Sequence, residues 1–117
     1  MVSENDLFGK CPYVTVQKVL SGKWSIMILY HLGIKTMRFG ELQRQLPDLT
    51  QSTLTKQLRA LEEYGLIERK IYPQVPPKVE YSLSDIGIKF KKVLSELAIW
   101  GNEYIEILTA RMTVSDK

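Results

Sequence analysis

One cysteine and one histidine among 117 residues remove several chemistries at once. A single cysteine cannot close an intramolecular disulfide, and one cysteine with one histidine cannot assemble a zinc site of the usual Cys/His kind. No apolar stretch reaches the ~20 residues that a membrane-spanning helix needs. The longest apolar-rich run, residues 24–34, is about half that length and reads as a buried helix. There is no glycine-rich phosphate loop, no metal-ligand spacing and no Ser/His/Asp or Cys/His constellation, so nothing in the sequence supports an enzyme. Internal repeats and low-complexity segments are missing too. The opening residues MVSENDL carry two acids and no basic stretch leading into an apolar core, unlike a secretory leader. The expected setting is a reducing cytoplasm, with no metal or cofactor and no membrane partner.

What is present suits one globular domain over residues 1–117, with 44% hydrophobic and 25% charged content. The net charge of +3 names no partner, but its distribution is informative. Residues 7–40 carry five basic side chains (Lys10, Lys18, Lys23, Lys35, Arg38) and no acid, whereas 41–84 hold six of each sign and 85–117 five of each. A nucleic-acid surface therefore has to be made by placement and not by bulk charge.

The apolar spacing predicts a short helix over 12–20, opened by Pro12, and then a central helix in KWSIMILYHL that is apolar on almost every side and ends at Gly33. Such a helix is expected to be covered by its neighbours. FGELQRQL places Phe39, Leu42 and Leu46 on one face and stops at Pro47. After the tight link PDLT, Thr50 caps a helix over 51–64 that closes at Gly65. Leu54, Leu58 and Leu61 form its buried stripe, and Ser52, Lys56, Arg59 and Glu63 lie opposite, with Thr55 on the flank. Beyond Gly65 the period changes from helical to alternating, giving two antiparallel strands joined by PQVPP, which holds three of the five prolines. A hairpin with so stiff and extended a tip is a wing. Ser84 then caps a last helix reaching about residue 112, some ~42 Å long at ~1.5 Å per residue, longer than a small domain is wide. Its distal half carries Ile99, Trp100, Tyr104, Ile105 and Leu108 on more than one face, more apolar surface than a monomer usually leaves to water.

The expected fold is therefore α+β, mainly α: a winged helix-turn-helix with a helical core and wing over 12–84, a two-stranded wing and a long C-terminal dimerisation helix over 85–112. In such an architecture the second helix of the helix-turn-helix enters the DNA major groove with its N-terminal end reaching base edges. Thr50, Gln51, Ser52, Thr53 and Thr55 are short or amide side chains that donate and accept, and Lys56 and Arg59 add positive charge. Glu62 and Glu63 at the far end would repel phosphate. A polar helix face is often only a solvated one; the turn, the wing and the long helix are separate requirements of one architecture and tip the balance toward DNA. Trp24, Trp100 and Tyr104 read as packing residues, and His31 as a structural histidine in an apolar helix.

The stretches CPYVTVQKVLSGKW, ILYHL, MRFGELQRQLPDLTQSTLTKQLRALEEYGLIERKIYPQVPPKVEYSLSDIG and AIWGNEY resemble the HxlR-type winged helix-turn-helix transcription regulators of bacteria and archaea, relatives of the MarR type. The resemblance covers about residues 11–104. It implies a homodimeric, double-stranded-DNA-binding repressor or activator, with repressor the preferred reading and the nucleoid the expected place, and with a reading helix at 51–59 and a wing at 72–78. It also implies a phosphate contact for Arg38, which is otherwise a solvated end of a link. Lys78 is either a wing contact or an edge-strand lysine that discourages aggregation. Arg69 and Lys70 alternate, so at most one points toward DNA, and Lys70 is preferred. The dimer contacts expected are Tyr13, Val14, Ile99, Trp100, Tyr104, Ile105 and Leu108. The competing reading is a winged-helix protein-interaction module, against which stands the lack of apolar anchors on the exposed face at Ser52, Lys56 and Arg59.

Cys11 precedes the first helix, where the helix dipole and Lys10 favour a thiolate. Some members of the resembled family sense oxidants or electrophiles through a cysteine there, which implies the same possibility for Cys11; the alternative is a small apolar anchor for the N-terminal arm. The sequence names no small-molecule effector.

Overall fold

Leucine and isoleucine from four helices meet in one core. Ile28, Leu29 and Leu32 come from helix α3 (Ser25–Ile34), Leu42 from α4 (Phe39–Gln45), and Leu54, Leu58 and Leu61 from α5 (Gln51–Glu63). Phe90 and Leu94 of α6 (Asp85–Ser115) pack on the rim. The computed structural model describes residues 4–115. Ahead of these helices come α1 (Glu4–Leu7) and α2 (Pro12–Val19), and between α5 and α6 lies an antiparallel pair, β1 (Ile67–Tyr72) and β2 (Lys78–Leu83). The chain is mainly helical with a two-stranded wing and a long C-terminal helix: a winged helix-turn-helix.

Each boundary has a local cause. Pro12 opens α2 and Pro47 follows the end of α4. The Thr50 hydroxyl accepts the Thr53 N–H at 3.1 Å to cap α5. Gly65, at φ +77°, takes the left-handed conformation that terminates it. Ser84 joins strand to helix: its hydroxyl donates to the Gly65 carbonyl and accepts the Gly87 N–H at 3.2 Å, while its own N–H donates to the Leu66 carbonyl. Gly87 lies so close to Leu66 that a Cβ there would run into the Leu66 carbonyl oxygen. Met37 exchanges both backbone hydrogen bonds with Tyr81, at 3.0 and 2.8 Å, which fastens the link before α4 to the free edge of β2.

Three expectations need correction. The turn of helix α1 was not anticipated, because four residues carry no readable period. Helix α3 does not stop at Gly33 but continues to Ile34. A Cβ at Gly33 would meet Lys91 and Leu83 only at ordinary contact distance, and its backbone stays helical, so nothing there stops the helix. Nor does the chain itself cover α3 on all sides: Ser25, Ile28, Leu29 and Leu32 are buried, but Ile26, Met27, Tyr30 and Ile34 are exposed. The 31-residue α6, ~46 Å long at ~1.5 Å per residue, extends past the core and gives the molecule its 61 Å long axis.

Removing the Leu58 side chain (L58A) leaves a cavity between α5 and its neighbours and is expected to cost about 2–5 kcal/mol in denaturant unfolding. Gly87→Ala should also lower the midpoint, because the α6 start must move off Leu66.

At the head of α4, Glu41 accepts the Arg38 N–H at 3.1 Å and the Lys35 ammonium at 3.3 Å. The Arg38 N–H first, and then Lys35, hold its carboxyl below the ordinary value of 4.5. A group whose pKa is depressed by folding stabilises the folded state above its unfolded pKa, and that contribution is lost as pH falls through the folded value. The wild type should therefore exceed Glu41→Gln in thermal midpoint by a constant amount near neutrality. That gap should close as pH drops from about 4.5 downward.

Candidate nucleic-acid interface

Burial of the α5 leucine stripe fixes which side of that helix meets solvent. Gln51, Ser52, Lys56, Arg59 and Glu63 are exposed, and Thr53 and Thr55 are half-buried on the flanks. Not all the polar groups expected at the interface are equally available. The Thr50 and Thr53 hydroxyls bond to one another at 2.9 Å, and the Thr55 hydroxyl donates to the Gln51 carbonyl at 2.8 Å. These three are partly committed to holding the helix start, whereas Gln51, Ser52, Lys56 and Arg59 extend into solvent. Gln57 turns inward: its Oε1 is buried without a hydrogen-bond partner and abuts Gly22. The first turn of α5 carries no acid, so its exposed backbone N–H groups and helix dipole favour an anion there.

The hairpin register sorts the wing residues. Ile67 pairs with Leu83, Arg69 with Tyr81 and Ile71 with Val79; the alternate positions pair Glu68 with Ser82, Lys70 with Glu80 and Tyr72 with Lys78. Successive side chains point to opposite faces, so Arg69 and Tyr81 share the face of core residue Ile67, and Lys70, Tyr72, Lys78 and Glu80 share the other. Arg69 turns back to Glu62 at the end of α5, Nε to Oε2 3.5 Å. Burial raises the Tyr81 hydroxyl above its ordinary value of 10.0, with Arg69 pulling the other way. From α5, Glu62 raises the same hydroxyl and Arg59 lowers it, both more weakly than Arg69. On the opposite face the ammonium groups of Lys70 and Lys78 each lie 4.8 Å from the centre of the Tyr72 ring. The tip, residues 73–77, is exposed throughout, Val75 fully so. Arg38 stands at the N-cap of α4 with an exposed side chain. Its neighbour Met37 is bridged to Tyr81, which brings Arg38 beside the wing base.

The residues expected to face a second copy are exposed in the single chain. Tyr13 is 84% and Trp100 64% accessible, and Ile99, Tyr104, Ile105 and Leu108 are also open; Val14 is half-buried. Trp100 and Tyr104 rest on each other with ring centres 5.4 Å apart. An apolar cleft of about 290 Å³ lies between α2 and α6, walled by Val16, Val19, Phe90 and Val93. Cys11 is the half-buried, unpaired N-cap of α2. Its carbonyl accepts the Thr15 hydroxyl at 2.7 Å and its N–H donates to Leu7 at 2.8 Å. Phe8, just upstream, packs against Tyr64 at the end of α5, ring centres 6.2 Å apart.

Sequence reasoning missed the Tyr72 contact, the Arg69–Glu62 pair and the inward turn of Gln57. The first was hidden by the five-residue tip: without a tight-turn signature the register is open, and register decides which side chains share a face. Among the described residues no group of three or more His, Cys, Asp or Glu is placed to hold a metal ion. None of the helices among them is long and apolar enough to cross a membrane.

Residues 19–109 match the family model of the HxlR-like helix-turn-helix. The HTH-type transcriptional regulator YdeP of Bacillus subtilis is 42% identical over 116 residues, spanning 97% of this chain and 91% of the relative. The crystal structure of the HTH-type transcriptional regulator YtcD superposes with a TM-score of 0.78 at 44% identity, over 81% of this chain and 97% of that one. The redox regulator HypR in its reduced form gives a TM-score of 0.79 at 38% identity, over 85% and 98% of the two chains. Its oxidised form gives 0.73 at 41%, over 80% and 96%. With the family model spanning most of the chain and the wing, turn and long helix all in place, the protein belongs to the HxlR family of helix-turn-helix transcriptional regulators.

Proposed function

We propose that the protein works as a homodimeric, sequence-specific repressor in the cytoplasm. In this reading α5 enters the major groove of an inverted-repeat operator and the wing lies along the flanking backbone. The observation that carries it is the division of α5: leucines at 54, 58 and 61 buried, and a face of Gln51, Ser52, Lys56 and Arg59 left open at the end favourable to phosphate. Lys56 and Arg59 supply charge, Gln51 and Ser52 supply hydrogen bonds to base edges, and Thr50, Thr53 and Thr55 contribute what their hydroxyls retain. Arg38, Lys70 and Lys78 meet phosphates to either side. Glu62 is engaged by Arg69, and the exposed Glu63 keeps the acidic end of the helix away from DNA.

A second copy supplies the symmetry. The open apolar side chains of α3 and distal α6, together with Tyr13, are more than an isolated chain usually leaves to water. Packing them against their equivalents would set two α5 helices about 34 Å apart, one turn of the duplex. One domain over residues 1–117 then suffices for both readout and assembly.

The test is selection of bound fragments from the source genome by the purified protein. Fragments sharing an inverted repeat are expected. Lys56→Ala and Arg59→Ala should each weaken binding by about 1–3 kcal/mol where the side chain reads a base, or lower the salt slope by about 1 where it meets a phosphate. Retention of no specific fragment at moderate salt, or an affinity indifferent to salt, would favour a protein-binding module.

A thiol response through Cys11 is the signal we favour. Phe8 and Cys11 flank the same tight bend, and Phe8 rests on the end of α5, so modification of the thiol has a short path to the reading helix. A direct bridge between subunits would need the two Cα atoms within about 7 Å; otherwise each thiol is modified by a small molecule. Repeating the selection with an added thiol oxidant should release DNA from the wild type and leave Cys11→Ser bound. Equal release of both proteins would exclude Cys11 as the sensor.

A further inference from the structure

Lysine positions itself poorly, since its ammonium is a compact charge on a flexible four-carbon stem. The two wing lysines are held more firmly than that. Tyr72 ends β1, Lys78 pairs with it directly across the hairpin, and Lys70 lies two residues back on the same face. Both ammonium groups stand 4.8 Å from the centre of the Tyr72 ring, inside the ~6 Å range in which an aromatic face attracts a cation. Two like charges are thereby held within twice that distance of each other. Glu80, the cross-strand partner of Lys70, has its Oε2 3.9 Å from the Lys78 ammonium, and Glu68 lies on the same face nearer the core. The rung nearest the tip holds Tyr72 and Lys78, the next pairs Lys70 with Glu80, and Glu68 lies below them, so the charge of this face turns positive toward the tip.

We infer that Tyr72 is a positioning residue for DNA: its ring holds Lys70 and Lys78 as a paired anchor for the phosphate backbone of a duplex. This rests on the DNA-binding reading above and adds a residue that neither donates to phosphate nor reads a base. The ring face does the holding, so the phenol hydroxyl is dispensable. Phosphate contacts carry no sequence information, and the contribution is therefore the same on every duplex.

The experiment measures affinity against salt for the wild type, Tyr72→Phe and Tyr72→Leu. It uses a fragment recovered in the genomic selection and a mixed-sequence duplex of equal length. Tyr72→Phe should match the wild type. Tyr72→Leu should bind both duplexes about three- to tenfold more weakly, the scale of losing preorganised side chains, with a salt slope smaller by about one unit. In a Lys70→Gln/Lys78→Gln background Tyr72→Leu should have no further effect, because the ring acts through the lysines.

The positioning role is overturned if Tyr72→Leu binds as the wild type does, if Tyr72→Phe is as weak as Tyr72→Leu, or if Tyr72→Leu weakens the lysine-free variant further. Lys56→Ala separates the two readings. If it weakens binding while Tyr72→Leu does not, DNA readout by α5 stands and the role of Tyr72 falls. A wild type that binds neither duplex with salt dependence overturns both.

Discussion

Everything the interface presents follows from the burial of three leucines. Leu54, Leu58 and Leu61 are buried in a core where α5 meets α3 and β1, and a helix pinned along one side has no freedom to choose its other side. Ser52, Lys56 and Arg59 face outward because they lie opposite that stripe on a 3.6-residue turn. The hydroxyls of Thr50 and Thr53 then fix where the helix begins, and the Gly65 turn fixes where it ends. Core packing and interface geometry are thus the same constraint seen from two sides.

The helical part of this was legible in the residues themselves. A stripe at i, i+4 and i+7, a capping threonine before it and a glycine after it are local signals, and the helix they predict over 51–64 differs from the observed one by a single residue at its C-terminal end. The strands were legible in extent but not in pairing, since PQVPP leaves the register open until the coordinates fix it. The sequence also said too little about α3. Its run, apolar on almost every side, predicts a helix covered by its neighbours, yet Ile26, Met27, Tyr30 and Ile34 are exposed. Periodicity reports that a face is apolar and not what covers it; an apolar face awaiting a second copy has the same pattern as one already buried.

A similar limit applies to charge. The chain is only weakly basic and its last two-thirds are neutral in sum, so composition could not locate an anion-binding surface. Pairing does so. Arg69 is drawn to Glu62 at the junction of α5 and the wing, which occupies one wing cation and one acid of α5 together. What remains outward on α5 is Lys56 and Arg59, and on the free face of the hairpin the two lysines at Tyr72, of which Lys78 also meets Glu80 at 3.9 Å. An exposed pair such as Arg69–Glu62 is worth little as stability, about 0–1 kcal/mol; its consequence is to set the sign of the surface.

The wing and the N-terminal arm relate to α5 in opposite ways, and that difference bears on regulation. The wing base is fastened to the rest of the fold by the Met37–Tyr81 backbone exchange and by Ser84, whose hydrogen bonds join the end of α5 to the start of α6. The arm touches α5 through the Phe8 and Tyr64 rings, both partly open to solvent, and carries short-range hydrogen bonds around Leu7, Gly9, Cys11 and Thr15. Such a contact can be given up without unfolding the core, because no buried leucine depends on it. In the proposed thiol response, a signal entering at the arm would act on the placement of α5 as a unit, and the residues proposed to face the groove need not change for DNA affinity to change.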